Sequence, residues 1–222
     1  TSKTFNVHVR DDDKEYDRDY AEMDAMMHKA ITIIQFKVEG QLIKKHPEWN
    51  MKERLLLDKI DYKQGTINLG GKEYPLNDTY FPTIDPKDPY KLTHEEEDVV
   101  ERLKNSFLGS ERLQRHIRFL YTKGSLYKVY NGNLLYHGCV PLNEDGSFMK
   151  VRIFDKTYSG KALYDILEHY ARKGYYSIDP QEKQRGEDIL WFIWKNKHSP
   201  VFGKERMATF ERYFIDATET HE

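Results

Sequence analysis

The sequence predicts an α+β fold, with a mostly helical first part over residues 1–122 and a second part, residues 123–222, of hairpins and helices. Before residue 122, apolar side chains recur at three- and four-residue spacing, which is typical of amphipathic helices. Near the middle of the chain, Asn131-Gly132 and Asp145-Gly146 mark tight turns between alternating segments. Capped helical patterns then return after Gly160.

Composition excludes several classes of protein. The 222 residues are enough for one large domain or two small ones. The net charge of −2 creates no long-range field for nucleic acid or an anionic membrane, so we expect neither as a partner. No apolar run approaches the roughly 18 residues of a membrane span. The single cysteine, Cys139, cannot form an intramolecular disulfide, which favours a reducing compartment and therefore the cytoplasm.

The first elements follow from periodicity and punctuation. Residues 19–46 have a helical pattern that Pro47 ends. Asn50 and Glu53 then have the spacing of a capping box, which predicts a second helix through the leucines at 55–57. Residues 65–75 predict a hairpin with its tip at Gly70-Gly71.

A second capping box, Thr93 with Glu96, predicts a helix that runs to about residue 122. Gly109 interrupts this pattern, so two shorter helices are the alternative.

The second part begins with a predicted hairpin over 126–137 and a third strand over 148–154. A helix over 160–173 closed by Gly174 follows. The next helix, over 180–194, has Asp179 as N-cap and Glu182 as the second member of a capping box. A last helix is predicted around 205–214.

His137 is the main candidate for a functional residue. It lies at the end of an apolar strand and precedes Gly138, an arrangement that leaves room for a divalent metal beside a phosphate. The alternative is a buried histidine bonded to backbone, since no second ligand has H-x-x-E or H-x-x-x-H spacing. Oxygen ligands could come from Asn143, Glu144 and Asp145, although a turn explains these residues equally well.

Lys204 and Arg206 are candidate substrate-binding residues. They end the segment 199–206, a loop with Gly203 in which two cations could meet a phosphate. An ordinary solvated loop is the alternative.

A basic stretch at Arg112, Arg115, His116 and Arg118 raises the possibility of a DNA-recognition helix. Its apolar neighbours Leu113, Ile117 and Leu120 favour an ordinary amphipathic helix instead.

Several separate segments, in order, resemble class III fructose-1,6-bisphosphatases of Firmicutes and Bacteroidetes. The resemblance is carried most clearly by LLYHGCVPLNEDGSF at 134–148, and also by DPKDPY at 85–90, RHIRFLY at 115–121 and SPVFGK at 199–204. It extends over nearly the whole chain.

The resemblance implies a relationship to calcineurin-like metallophosphatases. In that superfamily two metal ions activate a water that attacks the phosphate. Of the metal-binding patterns, only the isolated His-Gly has a counterpart here, at His137 and Gly138; D-x-H, G-D-x-x-D-R-G, G-N-H and G-H-x-P are absent. The resemblance therefore implies an internal fragment of a longer protein, with residues 1–122 as a helical insertion and residues 123–222 as a partial metallophosphatase β-sandwich with flanking helices.

The parent reaction implied is hydrolysis of fructose 1,6-bisphosphate in gluconeogenesis, with Mn²⁺ as cofactor. His137 would be one metal ligand, and the 222 residues alone would hydrolyse nothing. Implied partners are fructose 1,6-bisphosphate, the remainder of the parent chain and further copies in a homo-oligomer. The alternative is a helical regulatory or oligomerisation module without chemistry of its own.

Overall fold

The computed structural model describes residues 18–202, 214 and 215, and it divides the chain into two compact units. Of the described residues, 18–101 with 214 and 215 form the first unit, and 102–202 form the second. The division falls inside a helix, between residues 101 and 102. The sequence had instead predicted a boundary after residue 122. Helices and small antiparallel sheets are both present, as expected for an α+β fold.

Helix α1, Arg18–Lys45, forms the centre of the first unit and ends just before His46 and Pro47, as predicted. The predicted second helix is wrong. In its place are three short 3₁₀ turns, Pro47–Trp49, Lys52–Arg54 and Leu57–Lys59. Asn50 has a left-handed backbone (φ 56°) and caps the end of the first turn, whereas a helix N-cap requires an extended residue.

The turns lead into a three-stranded antiparallel sheet in the order β1-β2-β3, formed by Ile60–Asp61, Thr66–Leu69 and Lys72–Pro75. The β2–β3 hairpin is confirmed, and both tip glycines have positive φ. Alternate side chains of the sheet enter a core shared with α1. The buried core comprises Ala30, Ile33, Phe36, Leu57, Ile60, Ile67, Leu69, Tyr74, Leu76, Ile84, Tyr90, Phe214 and Ile215.

A buried ion pair joins α1 to α2, which spans His94–Gly109. The Lys37 ammonium lies 2.6 Å from a Glu96 carboxylate oxygen and donates to the Thr83 carbonyl at 2.5 Å. The same Glu96 oxygen accepts from the Thr93 amide, while the Thr93 hydroxyl accepts from the Glu96 amide. This reciprocal pair confirms the predicted capping box.

The helical segment after residue 93 is broken, so the two-helix alternative is confirmed. Helix α3 spans Glu111–Lys123, and Ser110 between the helices is its N-cap, accepting from the Leu113 amide. The second unit then has two separate two-stranded antiparallel sheets. Strands β4 and β5 are Tyr127–Tyr130 and Asn133–Tyr136, and strands β6 and β7 are Val151–Ile153 and Lys156–Tyr158.

Helices α4, Gly160–Tyr176, and α5, Pro180–Lys195, pack together in the second unit. The prediction that Gly174 ends α4 is wrong, because Gly174 lies inside the helix against Gly186 of α5. A Cβ on Gly186 would lie 2.1 Å from the Gly174 nitrogen, so the missing side chains allow the backbones to touch. The sequence predicted a helix end at Gly174 because glycine often ends helices, but here glycine allows α4 and α5 to pack closely.

Asp179 caps α5 as predicted, accepting from the Glu182 amide at 2.8 Å. Glu182 does not complete the reciprocal box, because its carboxylate binds the Lys173 ammonium and the Ser177 hydroxyl. The helix predicted over 205–214 lies outside the described residues except for Phe214. Within the described part of the chain, no helix is both long enough and apolar enough to cross a membrane.

Candidate functional site

The His137 corner connects strand β5 to the loop that follows α5. Strand β5 ends at Tyr136, and Gly138 turns the chain with φ 92°. The Cys139 amide then donates to the Pro200 carbonyl at 2.9 Å. A Cβ on Gly138 would lie 2.4 Å from that same carbonyl oxygen, so only glycine allows the corner to approach the loop this closely.

The opposing loop is held by Ser199, which is fully buried. Its hydroxyl donates to the Ile193 carbonyl at the end of α5 and accepts from the amides of Val201 and Phe202 at 3.1 and 3.4 Å. One side chain therefore ties the end of α5 to the two residues that follow Pro200. The loop is a fixed surface against which the corner docks.

Tyr164 of α4 holds the corner from its other side. Its hydroxyl donates to the Cys139 carbonyl at 2.8 Å. Burial raises the pKa of Tyr164 to about 12, so the phenol keeps its proton and remains a donor near neutral pH. Strand β5, helix α4 and the loop after α5 therefore meet at Cys139.

These contacts bring together two segments that the sequence singled out separately, His137-Gly138 and the loop starting at Ser199. The His137 side chain is exposed, and no side chain in residues 18–202 makes a hydrogen bond or ion pair with its imidazole. The alternative of a buried, backbone-bonded histidine is therefore wrong. Lys204 and Arg206 lie outside the described residues.

Two of the three suggested oxygen ligands after His137, Asn143 and Asp145, are used in a turn. The Asp145 carboxylate accepts from the Ser147 hydroxyl at 2.6 Å and from its amide at 2.9 Å, and these bonds lower the pKa of Asp145. Asn143 donates to the same hydroxyl. The turn interpretation is therefore the one that the geometry favours.

No group of three or more His, Cys, Asp or Glu side chains is placed to hold a metal ion within the part of the chain that the structure describes. An exposed neutral imidazole is a suitable Mn²⁺ ligand, but one imidazole does not make a site. The described residues therefore do not hold the metal that the resemblance implies.

Sequence reasoning missed a cleft of about 250 Å³ beside strand β4, lined by Ser125, Tyr127, Asp165, Glu168, His169 and Arg172. The signal was available in α4, where Asp165, Glu168 and Arg172 have the spacing of one helix face.

Most of the polar groups in this cleft form hydrogen bonds that fix the segment between α3 and β4. Glu168 accepts from the Ser125 hydroxyl at 2.6 Å, from the Leu126 amide at 3.0 Å and from Arg172 at 2.8 Å. Arg172 also donates to the carbonyls of Tyr121 and Gly124 at the end of α3. The cleft therefore fixes the path from α3 into β4, and its arginine has little capacity left for a ligand.

Burial opposes ionisation of Glu168, but its bonds from Ser125, Arg172 and the Leu126 amide outweigh that effect and lower its pKa. The Tyr127 hydroxyl donates to Asp165 at 2.8 Å, and Lys161 lies 2.5 Å from that carboxylate. The bond from Lys161 is the main cause of the lowered pKa of Asp165.

Comparisons with family models and with curated proteins both find fructose-1,6-bisphosphatases. The family model described as Firmicute fructose-1,6-bisphosphatase matches residues 1–222. Among curated relatives, the chain is similar to "Fructose-1,6-bisphosphatase class 3" of Clostridioides difficile (strain 630), at 59% identity over 198 residues, which are 89% of this chain and 30% of the relative. The protein of the same name from Clostridium tetani (strain Massachusetts / E88) is 56% identical over 210 residues, or 94% of this chain and 32% of the relative.

The chain thus spans about a third of the length of the curated relatives that it matches. No solved structure matches the chain.

Proposed function

The chain belongs to the Firmicute fructose-1,6-bisphosphatase family, and on that premise we propose that it forms part of an enzyme that hydrolyses fructose 1,6-bisphosphate to fructose 6-phosphate and phosphate. The family match over all 222 residues and identities of 54–59% to class 3 enzymes support this activity. We place the reaction in gluconeogenesis and in the cytoplasm. The finer fold assignment, a partial metallophosphatase β-sandwich within residues 123–222, is part of the same proposal.

The observation that supports a site in this chain is the exposed His137 imidazole on a rigidly held corner. Its backbone is fixed by the Cys139–Pro200 and Tyr164–Cys139 bonds, while its ring is free of partners within the described residues. A ligand that is held in position while its nitrogen stays open is suited to metal binding. We propose His137 as one ligand of a Mn²⁺ site whose other ligands come from outside these residues.

Lys204 and Arg206 remain proposed contacts to the sugar phosphate. They follow in sequence directly after the loop at 199–202 on which the corner docks. A lysine and an arginine supply charge-assisted donors suited to phosphate oxygens. Because the described residues do not complete a metal site, we assign no catalytic step to them.

The test replaces the matching third of the C. difficile relative with this chain and measures phosphate release from fructose 1,6-bisphosphate with Mn²⁺. We expect the chimera to be active and the 222-residue chain alone to be inactive. His137→Ala should reduce chimera activity by roughly 100-fold or more, because it removes a metal ligand. His116→Ala, at an exposed histidine of α3, is the matched control and should keep activity.

Two outcomes would contradict the proposal. Unchanged activity in the His137→Ala chimera would show that this histidine is not a ligand. Turnover by the chain alone would show that a complete site lies within its 222 residues.

We also propose that the enzyme is a homo-oligomer, supported by an exposed apolar stripe on α1. The stripe comprises Tyr20, Met23, Met27, Ile31 and Val38, which follow helical spacing along one side of the helix. If the stripe is an interface, Ile31→Glu should lower the molar mass of the chimera, measured by light scattering. An unchanged mass would remove this support.

A further inference from the structure

The β4–β5 hairpin has one face made only of aliphatic and tyrosine side chains. The register pairs Tyr127 with Tyr136 and Val129 with Leu134. Because directly opposed residues point to the same side of a sheet and successive residues alternate, these four side chains share one face. Three of them are strongly exposed: Val129 at 63%, Leu134 at 54% and Tyr136 at 47%.

The hairpin also has open hydrogen-bonding edges. Within the described residues, β4 and β5 form a sheet of two strands, and neither pairs with a third. An isolated two-stranded hairpin is marginally stable in water, and an apolar strand with a free edge invites further pairing. Both features are typical of a hairpin that lacks its covering layer.

Helix α4 covers only the Tyr127 end of this face, where the Tyr127 ring packs edge-on to Tyr164 at 5.6 Å. Contacts at both ends of the hairpin fix this arrangement. At the start of β4, Tyr127 donates to Asp165, and Glu168 accepts from Ser125 and Leu126. Just beyond β5, the Cys139 amide is bonded to Pro200. These contacts hold one end of the face on α4 and leave the side chains of Val129, Leu134 and Tyr136 exposed.

We propose that this face docks against polypeptide from the two thirds of the class 3 enzymes' length that these 222 residues do not match. The proposal rests on the proposed function, since it takes the chain to be part of such an enzyme. The same polypeptide would also supply the other metal ligands for His137, which directly follows Tyr136, because the described residues do not provide them.

The size of the face argues against a second copy of the chain as occupant. Two paired strands of four residues cover roughly 13 by 10 Å, whereas a stable dimer buries about 800 Å² on each partner. Docking within one polypeptide needs less area, because the covalent link replaces the cost of association with a high effective concentration. The small apolar face therefore fits an intramolecular partner.

The test uses cysteine accessibility. Leu134→Cys is compared with Glu187→Cys, at an exposed residue of α5, in the chain alone and in the chimera. Maleimide labelling is measured on the peptide carrying each introduced cysteine, so that other cysteines do not interfere. In the chain alone both should react rapidly, and in the chimera Leu134→Cys should slow by about tenfold or more while Glu187→Cys does not.

Equal labelling of Leu134→Cys in chain and chimera would overturn the proposal. So would protection that is already present in the chain alone and accompanied by a dimeric molar mass, because a second copy would then cover the face. If the chimera does not fold, the residue aligned with Leu134 is replaced by cysteine in the C. difficile relative itself and tested for the same protection.

Labelling separates this proposal from the proposed function, because it requires no activity. A chimera that protects Leu134→Cys but does not hydrolyse fructose 1,6-bisphosphate would support docking and count against the function. An active chimera with a freely labelled Leu134→Cys would overturn docking alone.

Discussion

The β2–β3 and β4–β5 hairpins are alike locally but differ in what their side chains contact. Each has two four-residue strands and a two-residue turn with positive φ, at Gly70-Gly71 in one and Asn131-Gly132 in the other. In β2–β3, Ile67, Leu69 and Tyr74 are buried in the core with α1. In β4–β5, the apolar side chains are exposed.

This difference shows that a turn signal and alternation specify a hairpin without specifying its cover. In the first unit, α1 contributes to the core that buries one face of β2–β3, and strand β1 pairs with the free edge of β2. In the described second unit, α4 and α5 bury apolar side chains against each other, and α4 also contacts β7. Beyond the contact of Tyr127 with α4, the β4–β5 face has no counterpart among the described residues.

The largest expected difference comes from truncating one apolar residue in each hairpin. Ile67→Ala should lower the free energy of unfolding by about 2–5 kcal/mol, because Ile67 is fully buried. Leu134→Ala should change it by less than about 0.5 kcal/mol in the isolated chain. Urea unfolding followed by circular dichroism measures both. A large loss for Leu134→Ala would mean that its face is already covered.

A second comparison separates the strain of a turn with positive φ from the contact between the His137 corner and the loop after α5. Gly138→Ala and Gly132→Ala both place alanine at positive φ, which costs about 1–3 kcal/mol. Only at Gly138 would the added Cβ also collide with the Pro200 carbonyl. We therefore expect the greater loss of stability for Gly138→Ala, together with faster reaction of the Cys139 thiol with a disulfide reagent. Equal effects of the two substitutions would show that the corner does not depend on its contact with the loop.

The smallest effect concerns the anchor of β4 and depends on pH. The folded state lowers the pKa of Glu168 below its ordinary value of 4.5. Its contribution to stability is therefore complete above that value and is lost as the pH falls through the folded pKa. Glu168→Gln should be less stable than wild type at about pH 7 and should lose less stability on acidification. Parallel pH dependences of the urea midpoints would contradict this role.

Local signals predicted much of the fold. The 28 residues of α1, both hairpins, the Thr93–Glu96 box and the Asp179 cap depend on neighbouring residues, and all are present. Errors arose where contacts between neighbouring elements overrode local preference. Gly174 continues a helix because Gly186 packs against it, and Glu182 leaves its capping role to bind Lys173 and Ser177.

In the candidate site too, the local patterns could be recognised from the sequence and the long-range contact could not. The His-Gly pair and the loop at 199–206 were recognisable as short patterns, but their meeting through Cys139 and Pro200 was not. Nothing in either pattern encodes a contact across 61 residues of sequence (139 to 200). The cleft at Asp165, Glu168 and Arg172 was missed because surface charges on a helix usually need no partner.

By itself, the sequence determined the family resemblance, the local elements and His137 as the residue to examine. The tertiary structure alone decided that His137 is exposed on a corner held from both sides, and that most of the β4–β5 face has no cover among the described residues. The physical reason is that turns and caps depend on backbone preferences over a few residues, whereas burial depends on which distant surfaces are available to pack. For β4–β5, the described residues supply that surface only at the Tyr127 end.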